Sequence, residues 1–103
     1  MKYENWLFGK DGALFRAAAH GMLDLTLELI SMGANVNAIS NNGFTPLHRA
    51  AQNGHIAVVN FLLSKGANAN AKSKDGNTPL SLALRNRHKD IANLLKKSGS
   101  DCK

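Results

Sequence analysis

Apolar residues along this chain fall into pairs of short helical stripes, each pair followed by a polar stretch rich in turn residues. The pattern is clearest in the middle. Leu47, Ala50 and Ala51 are spaced three and four apart, as one face of a helix requires. Thr45 ahead of Pro46 supplies an N-cap hydroxyl and then a proline at the first helical position, where its missing N–H costs nothing. Asn53-Gly54 closes this helix, Gly54 suiting the left-handed C′ conformation. A second helix is predicted over roughly Ile56 to Ser64, with Val58, Val59, Leu62 and Leu63 as its apolar stripe and Gly66 as its stop. Ala67 to Ala71 leads into a loop, and Lys72 to Asn77 contains Asp75-Gly76, a pair that favours a hairpin-like reversal. One unit is therefore helix, turn, helix, projecting loop.

This unit recurs. Residues 10–42 and 43–75 are identical at thirteen of 33 aligned positions, among them Leu14/Leu47, Ala17/Ala50, Ala18/Ala51, Gly21/Gly54, Leu29/Leu62 and Gly33/Gly66. One period later Gly76, Thr78, Pro79, Leu80, Ala83, Asn86, His88, Leu95 and Gly99 fall in the same register. A fixed period of this size implies a solenoid, in which each unit buries its apolar face against its neighbours. The 103 residues then read as a single domain: an N-terminal segment 1–9, repeat one 10–42, repeat two 43–75, and repeat three 76–103 as a C-terminal cap. Such an array favours an extended binding surface over an enclosed active site.

Thr45-Pro46-Leu47-His48-Arg49-Ala50-Ala51, Gly54-His55, Leu62-Leu63 and Gly66-Ala67-Asn68 with Asn70 resemble the ankyrin repeat. Thr78-Pro79-Leu80-Ser81-Leu82-Ala83 is a weaker copy, and repeat one keeps Ala17-Ala18, Gly21, Leu29 and the run Gly33 to Ala38. The resemblance covers about residues 10–103 and implies an all-α solenoid of helix-turn-helix units with projecting hairpin-like loops, the outer two repeats acting as caps. The departures fit that role. Repeat one has Gly12-Ala13 in place of Thr45-Pro46 and loses the capped start; Lys96 replaces Leu63. Arg87 stands where Gly54 does, so either Arg87 is held left-handed at a cost of about 1 kcal/mol or Asn86 takes that conformation instead.

Composition adds little: 44% hydrophobic and 19% charged residues are ordinary for a globular domain. No apolar run reaches the roughly 18–20 residues that cross a bilayer. Residues 1–9 do not read as a secretory signal, and the lone Cys102 forms no internal disulfide, so an intracellular (cytoplasmic or nuclear) monomer is expected. Charge changes the picture more. The net +6 is concentrated late, with −1 over residues 10–42, +3 over 43–75 and +4 over 76–103, where Arg85, Arg87, Lys89, Lys96 and Lys97 gather. A basic face can attract nucleic acid or another acidic polymer, but no groove-reading motif accompanies it, and nucleic acid is the lesser reading beside a solvated cap.

The four histidines do not form a zinc signature. The resemblance gives His48 and His55 structural hydrogen bonds between loops and helices, with His88 as the later copy of His55; His20 ends the first helix, where positive charge suits the dipole. Nucleophile elbow, phosphate-binding loop and paired carboxylates are all missing, so neither catalysis, cofactor nor metal is expected.

The resemblance instead implies a groove for a protein partner, lined by finger loops and first helices. Here its positions are Ile39, Asn41, Asn42, Phe44, Arg49, Gln52, Asn53, Lys72, Lys74, Asp75, Asn77, Arg85 and Asn86, joined from the N-terminal unit by Trp6, Phe8, Asp11, Arg16 and His20. Trp6 and Phe8 either seal the open end of repeat one, the preferred reading, or form an apolar patch with Ile39 and Phe44; Phe44 itself is expected to meet the partner. Arg16, Arg49 and Arg85 either receive an acidic partner segment, are solvated, or pair with Asp11 and Asp75. Leu27 and Met32, polar in repeat two, mark a convex contact or a dock for the N-terminal segment.

Overall fold

Thr45 and Thr78 start their helices in the same way. Thr45 Oγ1 accepts from His48 N at 3.3 Å while His48 Nδ1 accepts from Thr45 N at 3.0 Å. Thr78 Oγ1 accepts from Ser81 N at 3.0 Å, and Ser81 Oγ accepts from Thr78 N at 2.9 Å. Each is a reciprocal capping box with proline at the start of the helix, and each fixes a boundary that the sequence predicts. The computed structural model describes residues 9–98. They form α1 (Lys10–Ala19), α2 (Leu23–Ser31), α3 (Pro46–Gln52), α4 (Ile56–Ser64), α5 (Pro79–Arg85) and α6 (Lys89–Lys97), with no strand among the described residues.

Helices α1, α3 and α5 pack side by side as one row, and α2, α4 and α6 as a second row behind them. Alanine makes the first row possible, because Ala17, Ala18, Ala50, Ala51 and Ala83 are all buried where neighbouring units meet. Leu47, Val58, Val59, Leu62, Leu80, Ile91 and Leu95 fill the space between the rows in the main cluster. Leu14, Ala17, Leu29 and Ala34 form a smaller cluster in repeat one, and half-buried Ile30 packs against both. Repeat one also differs from repeat two in its second helix, where the exposed Glu28 stands in the place of half-buried Phe61.

Repeat one departs where its sequence does. With Gly12-Ala13 in place of a Thr-Pro stop, α1 runs back to Lys10 and reaches ten residues against seven in α3, with no side-chain cap from Gly9. Two other bonds hold that end. Lys10 Nζ donates to Met32 O at 2.9 Å, and Asp11 Oδ1 accepts from Asn35 N at 2.8 Å.

At the turn between α5 and α6 the choice falls on Arg87, at φ 64°, whereas Asn86 stays at φ −98° and donates through Nδ2 to Leu82 O at 2.8 Å. The corresponding Gly54 has φ +80° without a Cβ to strain. Arg87→Gly is accordingly expected to stabilise the protein by about 1 kcal/mol. A denaturation midpoint unchanged or lowered by the substitution would refute the strain.

Candidate binding surface

Two fingers project between the helix pairs, and a serine builds each. Ser40 N donates to Phe44 O at 2.9 Å, and Ser40 Oγ accepts from Phe44 N at 3.2 Å. Ser73 N donates to Asn77 O at 2.8 Å, and Ser73 Oγ accepts from Asn77 N at 3.1 Å. Lys74 N then donates to Asn42 O at 3.0 Å and ties one finger to the next. That approach needs Gly43, since at φ +79° a Cβ there would lie 2.9 Å from Lys74 N.

Buried polar groups lock the fingers to the helices. His48 Nε2 meets Asn77 O at 2.8 Å, and a carbonyl only accepts, so this nitrogen carries the proton. Nδ1, which faces Thr45 N–H, is then the acceptor. Burial holds the His48 pKa below its ordinary 6.5; the nearby Arg49 charge acts in the same direction, against bonds to the Asn77 and Ala71 carbonyls. His55 Nε2 donates to Ala19 O and His88 Nε2 to Gln52 O, each at 3.1 Å, one unit back along the array. Asn37 bridges repeats one and two, donating through Nδ2 to Gly66 O at 3.2 Å and accepting at Oδ1 from Asn68 N at 2.8 Å. The structural roles expected of these three histidines are thus seen as bonds, and His20 caps the end of α1.

On this frame Arg49 is the best-ordered charge of the predicted groove. Its Cζ lies over the Phe44 ring at 4.6 Å and over the Phe15 ring at 5.6 Å, and Nη1 donates to Gln52 Oε1 at 2.8 Å. The Phe44 ring tilts against His48 with 5.1 Å between centroids. Arg85 Nη2 donates to Asn77 Oδ1 at 2.9 Å. Arg49 and Arg85 thus bond amide side chains, while Asp11 accepts from a backbone N–H.

The remaining predicted positions divide by exposure. Ile39, Asn41, Asn42, Lys72, Lys74, Asp75, Arg16, His20 and Asn86 are exposed; Phe44, Arg49, Gln52, Asn77 and Asp11 are half-buried. Asn53 is exposed, but its Nδ2 is committed to Ala19 O at 2.7 Å. Trp6 and Phe8, like Cys102, lie outside the described residues. Leu27 and Met32 are exposed at 42% and 54%, apolar where repeat two has Asn60 and Lys65. Sequence reasoning overlooked Phe15. Its signal was available, since Phe15 and Arg16 occupy the register of His48 and Arg49.

No group of three potential metal ligands gathers among the described residues, and none of their helices is long and apolar enough to cross a membrane. A comparison with known families matches residues 13–103 to one described as ankyrin repeats, in three copies. The chain belongs to the ankyrin-repeat family. No curated protein matches it closely enough to count as a relative. Ankyrin repeats are generally protein-binding modules and typically non-catalytic, and no catalytic family was found for this one. The paired rows of helices described above are consistent with ankyrin helix-turn-helix units.

Proposed function

We propose that this ankyrin-repeat protein is a monomeric, non-catalytic module that binds a protein partner through its finger loops and concave helix face. The observation that carries this reading is the assembly of Arg49, Phe44, Phe15 and Gln52 beside two fingers bonded to each other. Arginine and aromatic side chains dominate binding energy at protein interfaces, above all when held in place beforehand. A standard interface would cover about 800 Å² of this protein. Ile39, Lys72, Lys74 and Asp75 would line its edge at the finger tips, with Asn41 and Asn42.

A second reading has its own observation. Arg87, His88 and Lys89 of the basic repeat three line a shallow depression of about 310 Å³ with Asp90, Ile91 and, from repeat two, Gly54 and Ile56. A nucleic acid or other acidic polymer held there would dissociate steeply with salt.

Capture of partners on immobilised wild type and on a Phe44→Ser/Arg49→Glu variant, after nuclease treatment and near physiological salt, separates the two. We expect a protein retained by the wild type and lost by the variant, with matching thermal unfolding showing that both remain folded. Identical capture by both, abolished by nuclease or moderate salt, would overturn the concave-face reading in favour of repeat three.

A further inference from the structure

The two helix rows differ in charge: α1, α3 and α5 sum to +3, whereas the carboxylates of α2, α4 and α6 are balanced by Lys89, Lys96 and Lys97. The concave row, α1, α3 and α5, carries Lys10, Arg16, Arg49 and Arg85 against one carboxylate, Asp11, which already accepts from Asn35 N. Asp24, Glu28 and Asp90 all lie on the outer row. Among the described residues the predicted groove positions therefore carry net positive charge, with Asp11 on α1 and Asp75 at a finger tip as their carboxylates. Within that row Arg49 is distinctive. Of the five N–H donors of a guanidinium, one is bonded to Gln52, and among the described residues no acceptor bonds Nε or Nη2.

We infer that the partner places an aspartate or glutamate carboxylate from an extended peptide segment on the Arg49 guanidinium; this rests on the concave-face reading above. Two phenyl rings and Gln52 hold the guanidinium, so little side-chain freedom remains to be lost on binding. A planar fork is complementary to a planar carboxylate, and half-burial strengthens the charge-assisted bonds it makes. Arg85, tethered to Asn77, extends the same polarity along the row. The half-buried rings of Phe15 and Phe44 give the methylene groups beside the carboxylate an apolar contact. A phosphate backbone would instead favour several cations close together, and Arg87 and Lys89 meet at the repeat-three depression, though with Asp90 beside them.

Short random peptides displayed as a library and selected on the wild-type protein supply the probe. Enriched peptides are expected to share an acidic residue at one position. Replacing it by its amide should weaken binding about tenfold or more, the loss of one charge-assisted fork. Arg49→Gln and Arg49→Lys should weaken the acidic peptide similarly and leave the amide peptide nearly unaffected, the signature of a direct pair. The peptide exchange leaves the protein's fold untouched, and circular dichroism checks the Arg49 variants.

Enriched peptides that lose affinity on Phe44→Ser but share no acidic residue would refute the carboxylate inference alone. So would acidic peptides indifferent to Arg49→Gln. Peptides indifferent to Phe44, Arg49 and Gln52 together, or no enrichment at all, would refute the concave-face reading with it. A single-stranded DNA oligonucleotide that displaces the peptides through Arg49 near physiological salt would reassign the site to polyanions.

Discussion

Leu62→Ala is expected to destabilise the protein by about 2–5 kcal/mol, the range for removing a large aliphatic side chain from a closed core. Leu62 is fully buried in the main cluster, on α4, the central helix of the outer row. That helix packs against α3 in its own repeat, α2 before it and α6 after it, so a cavity there weakens both inter-repeat interfaces. In a solenoid those interfaces supply the coupling that makes single units stable. A domain of this length has only about 5–15 kcal/mol in all, so the loss should lower the thermal midpoint on the order of 10–30 °C. Chemical denaturation followed by helical circular dichroism gives the number directly. An unchanged midpoint would mean that the Leu62 side chain lies outside the core and that the register of α4 is wrong.

Leu62 also shows how much the sequence discloses. Its helix was predicted over Ile56 to Ser64 and has those bounds, because the 33-residue period supplies copies of one local solution. The Thr45-Pro46 start and the Gly54 stop are legible for the same reason, as they depend on backbone chemistry within a few residues. Legibility falls where a local rule permits two outcomes. Asn86 and Arg87 both suited the left-handed position, asparagine by propensity and arginine by register, and register prevailed. Locally, α1 lacked a stop and extended to Lys10. The surface is least legible of all. Arg49 meets Phe15 from the preceding repeat, and flexible side chains choose such partners from three-dimensional packing that periodicity does not encode. Candidate groove positions could be named from the repeat register, but not the ordering of Arg49 among them.

His48→Ala is expected to cost about 3–5 kcal/mol, through a cavity at a fully buried site and through a buried Thr45 N–H left without its acceptor. Thr45 N–H would lose its acceptor at Nδ1, opening the capping box of α3, and Asn77 O would keep Ser73 N–H but lose the second donor, which ties the next finger to α3. Burial also makes the residue sensitive to acid. It disfavours the charged imidazolium, and the neighbouring Arg49 charge adds to the effect, so the folded protein holds the ring's pKa below 6.5 against the opposing bond to Asn77 O. The unfolded chain takes up the proton first as pH falls. The His48 contribution is therefore complete above about pH 6.5 and is lost progressively below it, until the folded ring protonates too. Denaturation of wild type and His48→Ala at pH 7.5 and 5 should show the gap between them narrowing in acid. A gap independent of pH, or a His48 ring titrating by NMR at or above the ordinary histidine value, would rule out the neutral, proton-accepting Nδ1 on which finger and helix are joined.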